Sequence, residues 1–180
     1  MAKPKVATDW MAGCAGCHMS LLDMDERIAK VLELVELRSS PITDLKEPDE
    51  TGVDVGVLEG GVNNSANEEV AHKFRNRCKL LVALGDCAVF GGVPAMRNFF
   101  KIEDALRRAY VETESTDSSG KIPDDPELAT CQRVQAVSEV VPVDIFVPGC
   151  PPDADTIFYV LSELAQGRMP EVKGDKLQWH

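Results

Sequence analysis

Six cysteines are the residues of this sequence best suited to chemistry. They stand at positions 14, 17, 78, 87, 131 and 150. The Cys14-x-x-Cys17 spacing lets two sulfurs reach one centre, because the chain turns back within two residues. Disulfides are disfavoured, since a chain of 180 residues can bury a core without them. We therefore expect metal ligands, redox groups or small buried side chains.

Strand-like and helix-like stretches alternate along the chain. Strands are predicted at 5–8, 35–39, 54–58, 79–84 and 143–147. Helices are predicted from the capping box at Ser20 to about residue 35, from the capping box at Ser65 to about Arg77, and over 153–165. This alternation predicts an open α/β domain with a mainly parallel sheet.

Four of the cysteines follow predicted strands: Cys14 and Cys17 the first, Cys87 the fourth, and Cys150 the fifth. Loops after parallel strands share one edge of a sheet, and ligands bind at that edge. We therefore expect these four thiols to converge. Cys78 precedes a strand, and Cys131 lies in or after an acidic insertion, so both are predicted to be ordinary small residues.

Four convergent thiolates suit either a tetrahedral zinc ion or an iron–sulfur cluster. Structural zinc sites typically combine two short cysteine pairs, whereas here a single pair is joined by Cys87 and Cys150 on separate loops. The spacing therefore favours the cluster. A single cubane passes one electron at a time, which indicates a relay within a larger assembly. A zinc-stabilised interaction module without redox function remains the alternative from a different class.

The cysteines lie in recognisable segments, which are Trp10-Met-Ala-Gly-Cys14-Ala-Gly-Cys17-His-Met-Ser-Leu-Leu-Asp23, Glu59-Gly60, Gly85-Asp-Cys87-Ala88 and Pro148-Gly-Cys150-Pro-Pro152. In this order they resemble the small subunit of [NiFe] hydrogenases over roughly residues 1–170. The resemblance implies a flavodoxin-like fold with helices on both faces of the sheet. It also implies one [4Fe–4S] cluster bound by Cys14, Cys17, Cys87 and Cys150, with the NiFe centre in a large partner subunit.

Two features indicate which subfamily of hydrogenase small subunits the sequence resembles. No cysteine follows Cys150, and the first residues contain no twin-arginine pair. The chain thus resembles the small subunit of cytoplasmic, bidirectional NAD-linked hydrogenases, which implies the reaction H2 + NAD+ = NADH + H+ and diaphorase partners carrying flavin and further clusters. Methanogen-type hydrogenases stay open as an alternative. A 20 kDa subunit like that of complex I is disfavoured, because Ala15 and Gly16 separate the first two cysteines.

Two further residues near the predicted cluster are candidates for function. Glu59 ends a predicted strand at the same edge, where it could bond the large subunit, assist proton movement, approach an iron or simply cap a turn. His18 directly follows a ligand cysteine, and we expect it to be a satisfied interface or helix-start histidine. No catalytic residue is expected in this chain itself.

Composition excludes several classes of function. The 30 acidic and 19 basic residues give a net charge of −11, so the basic surface typical of nucleic-acid binding is missing. No apolar run reaches the roughly 18–20 residues of a membrane span. We expect one cytoplasmic domain over 1–180 with an acidic loop insertion at about 111–127. FMN is not expected, since cysteines occupy the first loop, although a flavin-binding flavodoxin-like protein is a third hypothesis.

Overall fold

The computed structural model describes residues 3–46 and 52–177, with two sheets. Its strands are β1 (Lys5–Trp10), β2 (Glu36–Ser39), β3 (Val53–Glu59), β4 (Val62–Asn64), β5 (Cys78–Leu84), β6 (Cys131–Gln135) and β7 (Ile145–Val147). Five of them form a parallel sheet in the order β2-β1-β3-β5-β7, and β4 pairs with β6 in antiparallel fashion. The five strands predicted from the sequence are the five of the parallel sheet.

Helices cover both faces of the parallel sheet. They are α1 (Gly16–Leu22), α2 (Arg27–Leu34), α3 (Ser65–Arg77), α4 (Asp86–Phe90), α5 (Ile102–Tyr110), α6 (Val137–Val140) and α7 (Ala154–Ala165), with 3-10 helices at Val93–Phe99 and Gly174–Leu177. One buried cluster joins the sheet to α1, α2 and α7 through residues such as Val31 and Ile157. A second cluster joins the other face to α3, α4 and α6 through Phe74, Val89 and Val137. The predicted flavodoxin-like fold class is confirmed.

The prediction that Ser20 opens a helix is wrong. The helix begins four residues earlier, at Gly16, and ends at Leu22, so a turn separates it from α2. Ser20 is buried in the middle of α1, where its hydroxyl donates a hydrogen bond of 2.5 Å to the carbonyl oxygen of Pro152. A local capping pattern was thus overridden by a contact with a loop far along the chain.

The predicted helix over 65–77 is present, but its cap is different. Asn64 caps α3, and its side chain accepts a hydrogen bond from the amide of Asn67. Ser65 is the first helical residue instead, and its hydroxyl accepts from the amide of Thr130. This bond links α3 to the end of the acidic segment.

The acidic segment carries no regular structure. Between α5 and β6, residues 111–130 form neither helix nor strand, and most of their side chains are exposed. These residues include the acidic stretch at 111–127. Within the described residues, no helix is long and apolar enough to cross a membrane.

Candidate metal centre

The site lies at the edge of the sheet where the parallel strands end. The loop after β1 is tied to the loop after β3, because the amides of Ala12 and Gly61 each donate to the other residue's carbonyl, at 3.0 and 2.8 Å. The amide of Met11 also donates to the carbonyl of Glu59. These bonds place the Cys14-x-x-Cys17 loop against the end of the neighbouring strand.

A second tie joins the loops after β5 and β7. The amide of Asp86 donates to the carbonyl of Gly149, and the amide of Gly149 donates to the Asp86 carboxylate, both at 2.8 Å. Asp86 stands directly before Cys87, and Gly149 directly before Cys150. This reciprocal pair therefore brings the last two cysteines together. The role of Asp86 was not predicted, although its position directly before a ligand cysteine is a signal that could have indicated it.

The structure brings the four predicted ligands to one region. Cys17 is buried, Cys87 is half-buried, and Cys14 and Cys150 are exposed. Burial raises the pKa of the Cys17 thiol, and the nearby Glu59 carboxylate and the other three thiols raise it further. Burial is also the main cause of the raised pKa of Cys87, to which Cys150 and Cys14 contribute. The four thiols are thus close enough to influence one another.

Glycines leave room for three of these sulfurs. A Cβ atom on Gly85 would lie 2.2 Å from the Sγ of Cys17, which is too close for any side chain at this position. A Cβ atom on Gly92 would lie 3.0 Å from the Sγ of Cys87, and one on Gly16 would lie 3.1 Å from the Sγ of Cys14. The sulfurs therefore pack directly against glycine backbone.

This donor set fits an iron–sulfur cluster. All four candidate ligands are thiols, which iron–sulfur clusters use, and the positive iron would offset the mutual repulsion of their thiolates. Among residues 3–46 and 52–177, no group of three or more His, Cys, Asp and Glu side chains is arranged to hold a single metal ion. The thiols come from the segments after β1, β5 and β7, an arrangement that suits a cluster wider than a single metal ion.

The other two cysteines lie elsewhere. Cys78 begins β5, at the opposite end of that strand from Cys87, and it is buried. Its desolvation there raises its pKa to about 11. Cys131 begins β6 in the two-stranded sheet, where the guanidinium of Arg97 lies 3.7 Å from its sulfur. Both stand apart from the four convergent thiols.

Glu59 points inward from the end of β3 and is almost completely buried. Its two carboxylate oxygens accept hydrogen bonds from the backbone amides of Cys17, at 3.2 Å, and His18, at 2.9 Å. Burial alone would raise the pKa of Glu59, but the His18 side chain and these amides outweigh it and hold the pKa below its usual value. The carboxylate therefore caps the first turn of α1, which carries Cys17.

His18 is the partner of that carboxylate. Its ring is fully buried, and its Nδ1 donates to the Oε2 of Glu59 at 2.5 Å. The expectation of a satisfied helix-start histidine agrees with this position. The ring of Trp10 lies edge-to-face against the ring of His18, with centroids 5.5 Å apart. However, 39% of the surface of Trp10 remains exposed, so Trp10 is not a core residue.

The sequence matches a family model over the segment that contains all four convergent cysteines. Residues 14–164 match the family described as NADH ubiquinone oxidoreductase, 20 Kd subunit. The chain belongs to this family. The match includes all four cysteines, the acidic segment and four strands of the parallel sheet, and only β1 lies before it. The family therefore covers most of the described fold.

Individual relatives specify the type of subunit. The chain is 46% identical over 171 residues to the delta subunit of the NAD-reducing hydrogenase HoxS from Cupriavidus necator, covering 92% of this chain and 80% of that protein. It is 36% identical over 177 residues to one subunit of an F420-non-reducing hydrogenase from Methanothermobacter marburgensis, covering 97% of this chain and only 58% of that protein. The predicted resemblance to the small subunit of NAD-linked [NiFe] hydrogenases is confirmed, so this family member is an oxidoreductase subunit.

Solved structures agree with this assignment. A chain of an NAD+-reducing [NiFe]-hydrogenase in the H2-reduced state superposes with a TM-score of 0.94 and 38% identity, covering 99% of this chain and all of that one. A chain of the [NiFeSe]-hydrogenase from Dm. baculatum superposes with a TM-score of 0.59 and 20% identity, covering 98% of this chain and 69% of that one. At that identity the second likeness concerns the fold alone.

Proposed function

We propose that this chain binds one [4Fe–4S] cluster through Cys14, Cys17, Cys87 and Cys150 and passes electrons through it. The bound cluster supplies one-electron redox chemistry. The observation that carries the proposal is the convergence of four thiols, from three loops, at one edge of a parallel sheet. Glycine backbone beside three of the sulfurs supports it, because it leaves space that any side chain would fill.

The chain's own groups tune this site. Burial raises the pKa of the Cys87 thiol, and a hydrogen bond from the amide of Val93 to its sulfur opposes part of that rise. Cys17 is buried, so water is excluded on its side, whereas Cys14 and Cys150 are exposed. The cluster would therefore lie near the surface, where electrons can enter and leave.

The partner that delivers these electrons is proposed to be a hydrogenase large subunit carrying the NiFe centre. A strongly exposed apolar segment follows Cys87 and supports such docking, with Phe90, Val93, Met96, Phe99 and Phe100 all more than 60% exposed. Monomeric proteins rarely leave so contiguous an apolar surface open. We call this group of residues the aromatic segment.

The overall reaction is proposed to be H2 + NAD+ = NADH + H+, by analogy with the NAD-reducing relatives. Diaphorase subunits with flavin and further clusters would receive the electrons, in the cytoplasm. FMN is not assigned to this chain, which is proposed to act as one domain over residues 1–180.

Anaerobic metal analysis of the purified complex tests the proposal. Because partner subunits are proposed to carry further clusters, the wild-type complex should hold about four more iron atoms and four more acid-labile sulfides than its Cys87→Ser variant. Replacing Cys87 with serine should abolish this cluster's EPR signal, whereas the matched variant Cys78→Ser, at the far end of the same strand, should keep it. One zinc ion in the wild-type complex that the Cys87→Ser complex lacks, with no difference in sulfide, would contradict the relay. Co-purification with a nickel-containing subunit tests the partner separately.

A further inference from the structure

A buried chain of polar groups runs from the Cys17 loop into the sheet. Glu59 joins β3 to the start of α1 through the amides of Cys17 and His18. The Nε2 of His18 lies 3.0 Å from the hydroxyl oxygen of Thr8, on β1, and that oxygen lies 2.8 Å from the Oγ of Ser40. All of these side chains are buried, so the network is shielded from water.

This network controls where one backbone donor points. The amide of Cys17 donates to the Oε1 of Glu59. It is therefore withheld from the sulfurs of a cluster bound to the same loop. The ring of His18 fixes the other oxygen, Oε2, which also receives the amide of His18. The carboxylate cannot rotate without breaking these bonds.

We propose that Glu59, held by His18, is a positioning residue that fixes the Cys17 loop and makes the cluster harder to reduce. The inference rests on the proposed function, because it concerns the cluster that this loop would bind. It gives Glu59 a role through backbone amides and a charge, and not as an iron ligand or a contact of the large subunit.

Two effects act in the same direction. Hydrogen bonds from amides to sulfur and the net charge near a cluster both set its reduction potential. Glu59 withholds the amide of Cys17 and holds a carboxylate against the backbone of that ligand residue, so both effects disfavour the added electron. Replacing Glu59 with glutamine removes the charge and leaves only one acceptor oxygen for the two amides.

The test is a redox titration of the hydrogenase complex, followed by EPR of this cluster. Glu59→Gln should favour reduction about tenfold, which corresponds to a rise of about 59 mV for a one-electron couple. Asp54→Asn is the matched control, because Asp54 loses the same charge on the same strand but lies at the opposite edge, beside Lys79. A Glu59→Gln potential and spectrum equal to those of Asp54→Asn would overturn the inference.

The His18 variants keep the test decisive if Glu59→Gln loses its cluster. Asparagine can place its amide nitrogen where Nδ1 lies, so His18→Asn should retain the wild-type potential and spectrum, while His18→Leu should change both. Identical values in both variants and the wild type would overturn the role of His18 and Glu59. If the wild type itself shows no cluster signal, the proposed function fails instead.

Discussion

Substituting alanine for Gly85 tests the site most directly. Gly85 has φ +83 and ψ 162, a region that is essentially restricted to glycine and costs a side chain about 1–3 kcal/mol. The added Cβ would also lie 2.2 Å from the Sγ of Cys17. Moving this pair out to the 3.4 Å of ordinary contact requires a displacement of about 1.2 Å. This is roughly half of a metal–thiolate bond of about 2.3 Å, so the ligand would leave its place.

Gly167→Ala separates the sulfur clash from backbone strain. Gly167 also has a positive φ, of +72, but nothing lies within 4 Å of its added Cβ. Gly167→Ala should therefore lower the free energy of unfolding by only about 1–2 kcal/mol, the penalty of a side chain in the left-handed region. The variant should keep its cluster.

The assay is iron and sulfide content together with the EPR spectrum of the cluster in the purified complex. We expect Gly85→Ala to lose the signal and Gly167→Ala to retain it, with a melting temperature lower by about 2–8 °C. A full complement of iron and an unchanged spectrum in Gly85→Ala would refute the placement of Cys17 at the cluster.

Three single substitutions give further predictions. Ser20→Ala should lower the free energy of unfolding by about 1–3 kcal/mol in denaturant titrations, because the buried carbonyl of Pro152 loses its donor. Asp144→Asn should lower the free energy of unfolding at neutral pH, and its difference from the wild type should shrink below about pH 4. Burial alone would raise the pKa of Asp144, but Arg75 and a backbone amide lower it below 3.8, so its stabilisation disappears as the carboxylate protonates. Phe99→Asp should reduce retention of the large subunit in pull-down experiments, because Phe99 is 86% exposed in the aromatic segment.

Each of these predictions has an outcome that contradicts it. Equal unfolding free energies for Ser20→Ala and the wild type would show that the Pro152 contact contributes nothing. A stability deficit of Asp144→Asn that is constant from neutral to strongly acidic pH would exclude the ion pair as its cause. Phe99→Asp should keep the isolated chain folded by circular dichroism, and undiminished binding of the large subunit would remove the aromatic segment from the interface.

The fold class and the convergence of the cysteine loops could be predicted from the pattern of residues alone. The near-continuous apolar stretch at 79–84 predicted a buried parallel strand, because such strands are covered on both faces. Loops after parallel strands share an edge, and this rule predicted that Cys14, Cys87 and Cys150 lie together. Short elements such as β4 and β6 escaped detection because their polar residues give too weak a pattern.

The way in which the site is held depends on contacts that exist only in the folded chain. Ser20 carried a convincing capping pattern, but its hydroxyl bonds a carbonyl 132 residues later, which no local rule can anticipate. Several roles were open to Glu59 from its position in the sequence, and the fold turned it inward onto His18, 41 residues away. Hydrogen bonds between distant loops have no periodicity along the chain, so their partners become known only when the packed sheet brings the loops together.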